Sequence, residues 1–170
     1  MTTATISHHQ GRVQPPVAGW QDKRRTLWVL LRGRQMAHQD LRPENLRISN
    51  EVGREILREG VSGRVLDPLA ELLELGPTQL APVIGVDRTT ARRYAREDQT
   101  LPPHSAETVL RLAELEALVQ DVFASETAAH DWLKTEHPQL GESPITAAST
   151  SYGAQRVREI LTAIKYGGVV

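Results

Sequence analysis

The chain has no cysteine among its 170 residues, which excludes disulfides, thiolate zinc sites and cysteine nucleophiles. No apolar run approaches the ~20 residues of a membrane-spanning helix. The N-terminus lacks the basic and apolar regions of a signal peptide, so a cytoplasmic location is expected. No glycine-rich phosphate loop follows a strand-like segment, no histidine pair has zinc spacing with a glutamate on one helix, and no serine stands in a nucleophile elbow. The nearest thing to a polar cluster is His130 and His137 with Asp131 and Glu136, at a helix end and a loop, which reads as solvated surface. His8 and His9 lie side by side in an N-terminal tail and read as tail residues, not as metal ligands. The chain is expected to bind, not to catalyse, with no cofactor and no metal.

With 39% apolar and 24% charged residues, the chain can bury the core of one domain or of two small ones. The net charge of −1 hides an uneven distribution. Residues 1–60 carry 10 basic and 6 acidic side chains, residues 61–100 carry 5 and 6, and residues 101–170 carry 5 and 9. A basic N-terminal part and an acidic C-terminal part suggest different partners at the two ends, or an unevenly solvated surface.

Residues 1–19 read as a flexible arm, poor in apolar side chains and ending in Pro15 and Pro16. Between Gln21 and His38 an apolar group, Leu27 to Leu31, sits between basic clusters; its flanks favour a helix over a buried strand. Asp40, Pro43 and Asn45 mark a break. A helix is predicted from near Asn50 to Glu59, burying Val52, Ile56 and Leu57 and stopping at Gly60. Ser62 starts an element with Val65, Leu69, Leu72 and Leu73 at helical spacing. A long amphipathic helix follows from Ser105 to Ala124, its stripe formed by Val109, Leu112, Leu115 or Ala113, Val119, Val122 and Phe123. The last 45 residues read as a separate unit. Ser125 caps a helix with Trp132 and Leu133, a loop holds Pro138, Leu140, Gly141 and Pro144, and a final helix from Ser151 to Tyr166 buries Ala154, Val157, Ile160, Leu161 and Ile164 before Gly167 and Gly168. The fold class is expected to be all-α, with a helix-turn-helix core, an N-terminal helical extension and a small C-terminal helical domain. The boundaries are expected near residues 20, 61 and 125.

The helix-turn-helix is the stretch Gly76 to Arg96. Ala81 lets two helices cross closely, and Gly85 can take the positive φ that turns the chain between them. Leu80, Ile84, Val86 and Tyr94 face a shared core, while Thr78 and Asp87 stand where side-chain caps begin each helix. Projected at about 100° per residue, Arg88, Arg92, Arg96, Thr89 and Arg93 fall within an arc of about 140°. Ala91, Tyr94 and Ala95 make the other side. Guanidinium groups pair with phosphate oxygens or bind guanine in the major groove, and Thr89 or Thr90 is placed to touch a phosphate or a thymine methyl. Thr78, Arg88, Thr89, Thr90, Arg92, Arg93 and Arg96 are therefore the expected DNA contacts. Pro82 argues the other way, because it removes a backbone donor from the first helix.

From near Ile56 to the C-terminus the chain resembles the Xre/MbcA/ParS group of antitoxins. The resemblance rests on the helix-turn-helix, the long helix after it, and the order of Trp132, Leu133, Pro138, Leu140, Gly141, Pro144, Gly153, Val157, Leu161, Ile164 and Gly167. Glu142 departs from the family's pattern, which often has a second glycine there. The resemblance implies a type II toxin-antitoxin system with a RES-domain toxin that degrades NAD or transfers ADP-ribose. It also implies that the antitoxin blocks the toxin's active site, and that dimers bind their own promoter DNA and assemble with toxin into a hetero-oligomer. It places toxin contacts at Trp132, Leu133, Pro138, Leu140, Gly141, Pro144, Arg156, Ile160, Ile164, Tyr166 and Gly167. The final helix and the tail to Val170 are candidates for the inserted part. Trp132 reads equally as a core anchor. The apolar group around Trp28 is expected to support dimerisation. Two other readings stay open, a regulator without a toxin partner and a protein-binding module whose helix-turn-helix is only a scaffold.

Overall fold

A computed structural model describes residues 18–32 and 48–167, and nine α-helices account for most of them. Most of the expected arm, the break at Asp40 to Asn45 and the tail beyond Gly167 lie outside the described residues. Helix α1 spans Ala18–Arg32, α2 Asn50–Glu59, α3 Leu66–Leu72, α4 Pro77–Val83 and α5 Arg88–Glu97. Then come α6 over Pro103–Val122, α7 over Glu126–Lys134, α8 over Pro144–Ala147 and α9 over Ser151–Tyr166. The all-α expectation holds.

Local chemistry sets these boundaries. Ser49, Ser125, Ser143 and Thr150 each accept a hydrogen bond from a backbone N–H in the first turn of the helix they precede, satisfying donors that no carbonyl reaches. Gly60 and Gly167 end α2 and α9 with φ of 90° and 70°. Ahead of α3 a 3-10 turn, Gly63–Val65, is fastened to the end of α5: Gly63 N donates to Gln99 O at 2.8 Å and Leu101 N to Val61 O at 2.8 Å. Arg64 and Ser62 both engage the Asp98 carboxylate.

Apolar spacing decides which face each helix buries. In α1, Arg24, Leu27, Trp28 and Leu31 follow at i, i+3, i+4 and i+7, and all are buried; this settles helix over strand. Trp28 is 1% exposed and packs in the core of its own chain, so it offers no surface to a second subunit. Of the apolar group expected to support dimerisation, Leu27, Trp28 and Leu31 are thus committed to the core, and Val29, 45% exposed, stays on the surface. Helix α6 departs from the simple amphipathic expectation. Besides Val109, Leu112, Ala113, Leu115 and Val119 it buries Ser105, Ala106, Thr108, Leu110 and Glu116, while Val122 and Phe123 at its end are half-buried. Helices α2, α3, α7 and α9 all pack against it.

The C-terminal segment does not close a core by itself. Ala129 and Leu133 of α7, Ala147 and Ala148 at α8, and Ala154, Val157 and Leu161 of α9 join one hydrophobic cluster that runs back through α6 to Leu27. A helix on the surface exposes one side; α6 sits between two sets of helices and can expose little.

Candidate functional sites

The first site is built by α4, α5 and the turn between them. The N-cap of α4 is Gly76, whose amide donates to Gln79 Oε1 at 2.8 Å. Thr78 therefore lies inside the first turn of the helix and is not its cap. Pro82 leaves the helix intact. Its carbonyl accepts from Gly85 N at 3.1 Å, and Ala81 O accepts from Val86 N at 3.1 Å, the paired bonds that close a helix around a left-handed residue. Gly85 supplies that residue with φ 77°. Ser105 Oγ donates to Ile84 O at 2.8 Å, pinning the turn to the start of α6. Leu80, Ala81 and Ile84 are buried, and Val86 and Tyr94 pack on the core half-buried.

Asp87 caps α5 as expected. Its Oδ1 accepts from Thr90 N at 2.9 Å and its Oδ2 from Thr90 Oγ1 at 2.5 Å. The Thr90 hydroxyl, then its amide, hold the Asp87 carboxyl below its ordinary value. Thr90 is thus half-buried with its proton committed, whereas Thr89 is exposed. Arg88, Arg92, Arg93 and Arg96 are all exposed, and Ala91, Tyr94 and Ala95 are half-buried beneath them. Among the described residues none of these four arginines has a carboxylate partner, although Arg93 lies 5.8 Å from the Tyr94 ring centroid. Elsewhere Arg64, Arg111, Arg156 and Arg158 each face a carboxylate. One face of α5 is an array of uncompensated guanidinium groups, which can take up phosphate oxygens or guanine edges.

The second site lies at the opposite end of the chain. After α7, His137 N donates to Glu142 O at 3.0 Å, and Leu140 N and Gly141 N return to His137 O at 2.9 and 3.0 Å. Gly141 takes the positive φ of 68° that this tight turn needs. Glu142 contributes only backbone to the turn and its side chain is exposed, so a second glycine is not required. Gln139 Oε1 accepts from Arg156 Nη2 at 2.8 Å, and Arg156 also pairs with Glu159 at 3.1 Å. The turn is thereby fixed to α9.

The residues expected to touch a partner divide by burial. Leu133, Pro144 and Ile160 are core; their apolar side chains are already covered by their own chain and cannot form a surface. Trp132 and Leu140 are half-buried. The Trp132 ring lies 5.6 Å from Phe123 and meets His137 edge-on at 5.9 Å. Pro138, Gly141, Arg156, Ile164, Tyr166 and Gly167 are exposed. Ile164 was expected inside and is 37% exposed. Tyr152, 91% exposed, escaped the sequence reading; projecting 151–166 as a helix and looking away from Val157 and Leu161 finds it.

Polar ties join the C-terminal helices to α6 and to the loop before α4. Arg111 on α6 donates to Ala148 O and Ser149 O at 3.3 and 2.9 Å, Arg158 pairs with Glu114 at 2.9 Å, and Lys165 with Asp121 at 2.6 Å. Glu74, in the left-handed region at φ 51°, receives Lys134 at 2.8 Å and lies 3.1 Å from His130 Nδ1. That last contact has ion-pair distance without hydrogen-bond alignment. His130 is 1% exposed, which corrects its reading as solvated surface; the apolar neighbours Ala129 and Leu133 on the same helix carry it inward. No group of three or more histidine, aspartate or glutamate side chains among the described residues is arranged to hold a metal ion. No helix in the described residues is long and apolar enough to cross a membrane.

Comparison with known families bears on both sites. Residues 53–114 match the antitoxin Xre-like helix-turn-helix domain, and residues 118–167 match the antitoxin Xre/MbcA/ParS C-terminal toxin-binding domain. No curated protein matches the chain. The two domain matches adjoin, carry α5 and α9 respectively, and together take in about two thirds of the sequence. The chain belongs to the Xre/MbcA/ParS antitoxins.

Proposed function

We propose that this chain is the antitoxin of a type II toxin-antitoxin pair. It neutralises a RES-domain toxin that consumes NAD, by hydrolysis or ADP-ribosyl transfer, by covering the toxin's active site. It acts in the cytoplasm by binding and not by catalysis. As a homodimer it sets two copies of α5 into major grooves of its own promoter, about 34 Å apart for half-sites one turn apart. The match of residues 118–167 to a toxin-binding domain favours this over a regulator with no toxin partner.

The observation that carries the DNA half is the row of Arg88, Arg92, Arg93 and Arg96, exposed on α5 without carboxylate partners among the described residues. Arg54 and Arg58 on α2 are exposed without a carboxylate partner among the described residues as well; what sets the α5 group apart is that four guanidinium groups crowd one face of a single helix. Four left uncompensated on the outward side of a helix-turn-helix suit a polyanion. Thr89 and Thr78 stay available at the edge of this face, whereas Thr90 is held by Asp87.

The test is fluorescence anisotropy on a labelled duplex from the gene's own upstream region, at several salt concentrations. The proposal expects affinity to fall steeply with salt, and Arg92→Ala with Arg93→Ala to reduce the log-log slope by about 2 if each contacts one phosphate. A flat salt response of the wild type would contradict it.

A further inference from the structure

Among the described residues four large hydrophobic side chains are markedly exposed, and three of them, Tyr152 at 91%, Ile164 at 37% and Tyr166 at 77%, belong to α9. Their placement follows from the helix period. At about 100° per residue, Ala154, Val157, Ile160 and Leu161 point one way, into the core, while Tyr152, Arg156, Glu159, Ala163 and Tyr166 fall on one stripe on the other side. The two tyrosines stand about 21 Å apart along the axis, at 1.5 Å per residue. Between them the charges are already balanced: Arg156 is held by Glu159 and Gln139, and Glu159 also receives Gln155 Nε2 at 3.3 Å. Ala163, half-exposed, leaves room for close approach beside Tyr166.

This stripe contrasts with the face of α5. There the guanidinium groups are uncompensated; here a compensated polar centre is bracketed by two exposed rings. Tyrosine offers large contact area with few rotatable bonds and a hydroxyl that needs no dehydrated burial, and it is enriched among residues that dominate binding energy. Lys165 Nζ lies 5.8 Å from the Tyr166 ring centroid, yet both rings keep most of their surface exposed on one stripe, where they can serve as binding anchors.

We infer that the outer stripe of α9, anchored by Tyr152 and Tyr166 with Ala163 as the point of closest approach, is the face that docks on the toxin. The inference rests on the antitoxin reading, because the occupant is taken from the toxin-binding domain that residues 118–167 match. The partner surface it fits is a groove with two apolar sockets about 21 Å apart, joined by a shallow polar floor that meets the Arg156–Glu159 pair. It is not a strongly cationic cleft, because the centre of the stripe carries no net charge.

The test titrates the purified toxin encoded beside this gene with the full-length chain by calorimetry. Tyr152→Ala, Tyr166→Ala and Ala163→Arg are compared with Glu55→Arg, a control on the exposed side of α2. The inference expects each tyrosine variant to weaken binding by about tenfold or more, and Ala163→Arg by about a hundredfold. The control should stay within about twofold, and circular dichroism should show every variant folded. If the wild type binds and both tyrosine variants stay within twofold, the face is wrong while the antitoxin reading stands. If the wild type does not bind, the antitoxin reading fails and the inference with it. If the chain alone is a dimer that Ala163→Arg dissociates, the stripe belongs to a second copy and the inference is overturned.

Discussion

Arg24 and Glu116, 92 positions apart in sequence, form a bidentate pair inside the protein. Arg24 Nη2 lies 2.9 Å from each Glu116 oxygen, and Nε lies 3.1 Å from Oε2. The residues are 8% and 0% exposed. The pair fastens α1, which precedes both matched domains, to the helix they share.

Breaking this pair from one side leaves a buried charge alone. Arg24→Ala is expected to lower the unfolding free energy by about 3–5 kcal/mol, whereas Arg24→Met combined with Glu116→Leu should return to within about 1–2 kcal/mol of wild type. Urea melts of the three proteins decide it. A double variant no more stable than the single one would contradict the account.

The same pair gives stability a pH dependence. Burial pushes the Glu116 carboxyl up to about 7; Arg24 pulls against this, and Glu126 adds slightly to it. Burial likewise lowers Arg24. A folded-state value above the unfolded one means that the native protein holds the proton more tightly. The stabilising contribution is therefore complete below the ordinary carboxylate range and is lost as pH rises towards 7. Glu116→Gln should flatten this part of the stability profile. An unchanged slope between about pH 5 and 7 in that variant would contradict it.

Trp28→Ala is expected to cost about 3–5 kcal/mol, as for other large buried aromatics. Oligomeric state by light scattering should match wild type at temperatures where the variant remains folded, since the ring faces its own core. A folded monomer derived from a wild-type dimer would contradict this.

Gly153 and Gly141 should both lose stability on substitution by alanine, Gly153 the more. A Cβ at Gly153 would lie 2.0 Å from Ala147 O, a backbone atom that cannot give way, so Gly153→Ala should open the α8–α9 corner and cost more than about 2 kcal/mol. At Gly141 nothing lies within 4 Å of a Cβ, and only the φ of 68° resists, at about 1–2 kcal/mol. Paired thermal melts check the order.

Glu74 and Lys134 join the loop before α4 to α7 at 2.8 Å, with 53% and 33% of their side chains exposed. Solvent screens such a pair, so Lys134→Ala should cost under about 1 kcal/mol at neutral pH. The hydrogen bond from Lys134 is the main cause holding the Glu74 carboxyl below its ordinary value, with burial opposing it and His130 adding to it. A lowered carboxylate contributes stability above the ordinary carboxylate range and loses it as pH falls through the lowered value. The difference between Lys134→Ala and wild type should therefore vanish in acid, as measured by melts at graded pH.

What the sequence showed was what is local. Asp87, Gly85 and Ser125 act through neighbours three residues away or less, so the turn of the helix-turn-helix and the start of α7 were legible, as was the exposed arginine side of α5. What depends on distant packing was not. Arg24 reads as one of a basic cluster and Glu116 as an acid off the apolar stripe of an amphipathic helix; only tertiary contact turns them into a buried pair. His130 looked solvated because its polar neighbours sit beside it in sequence, while α7 turns it inward. Leu133 and Pro144 carried the motif resemblance because they hold the C-terminal helices in place, and for that reason they are not surface. The exposed Tyr152 lay outside every motif.

The most direct test of the antitoxin account is NAD consumption by the toxin encoded beside this gene, with and without an excess of the full-length chain. A truncation at Ser125 is unsuitable, because it strips α7 and α9 from the central helix they cover. The account expects NAD loss to stop when the chain is present at stoichiometric amount or above. NAD falling at the same rate with excess folded chain would contradict it.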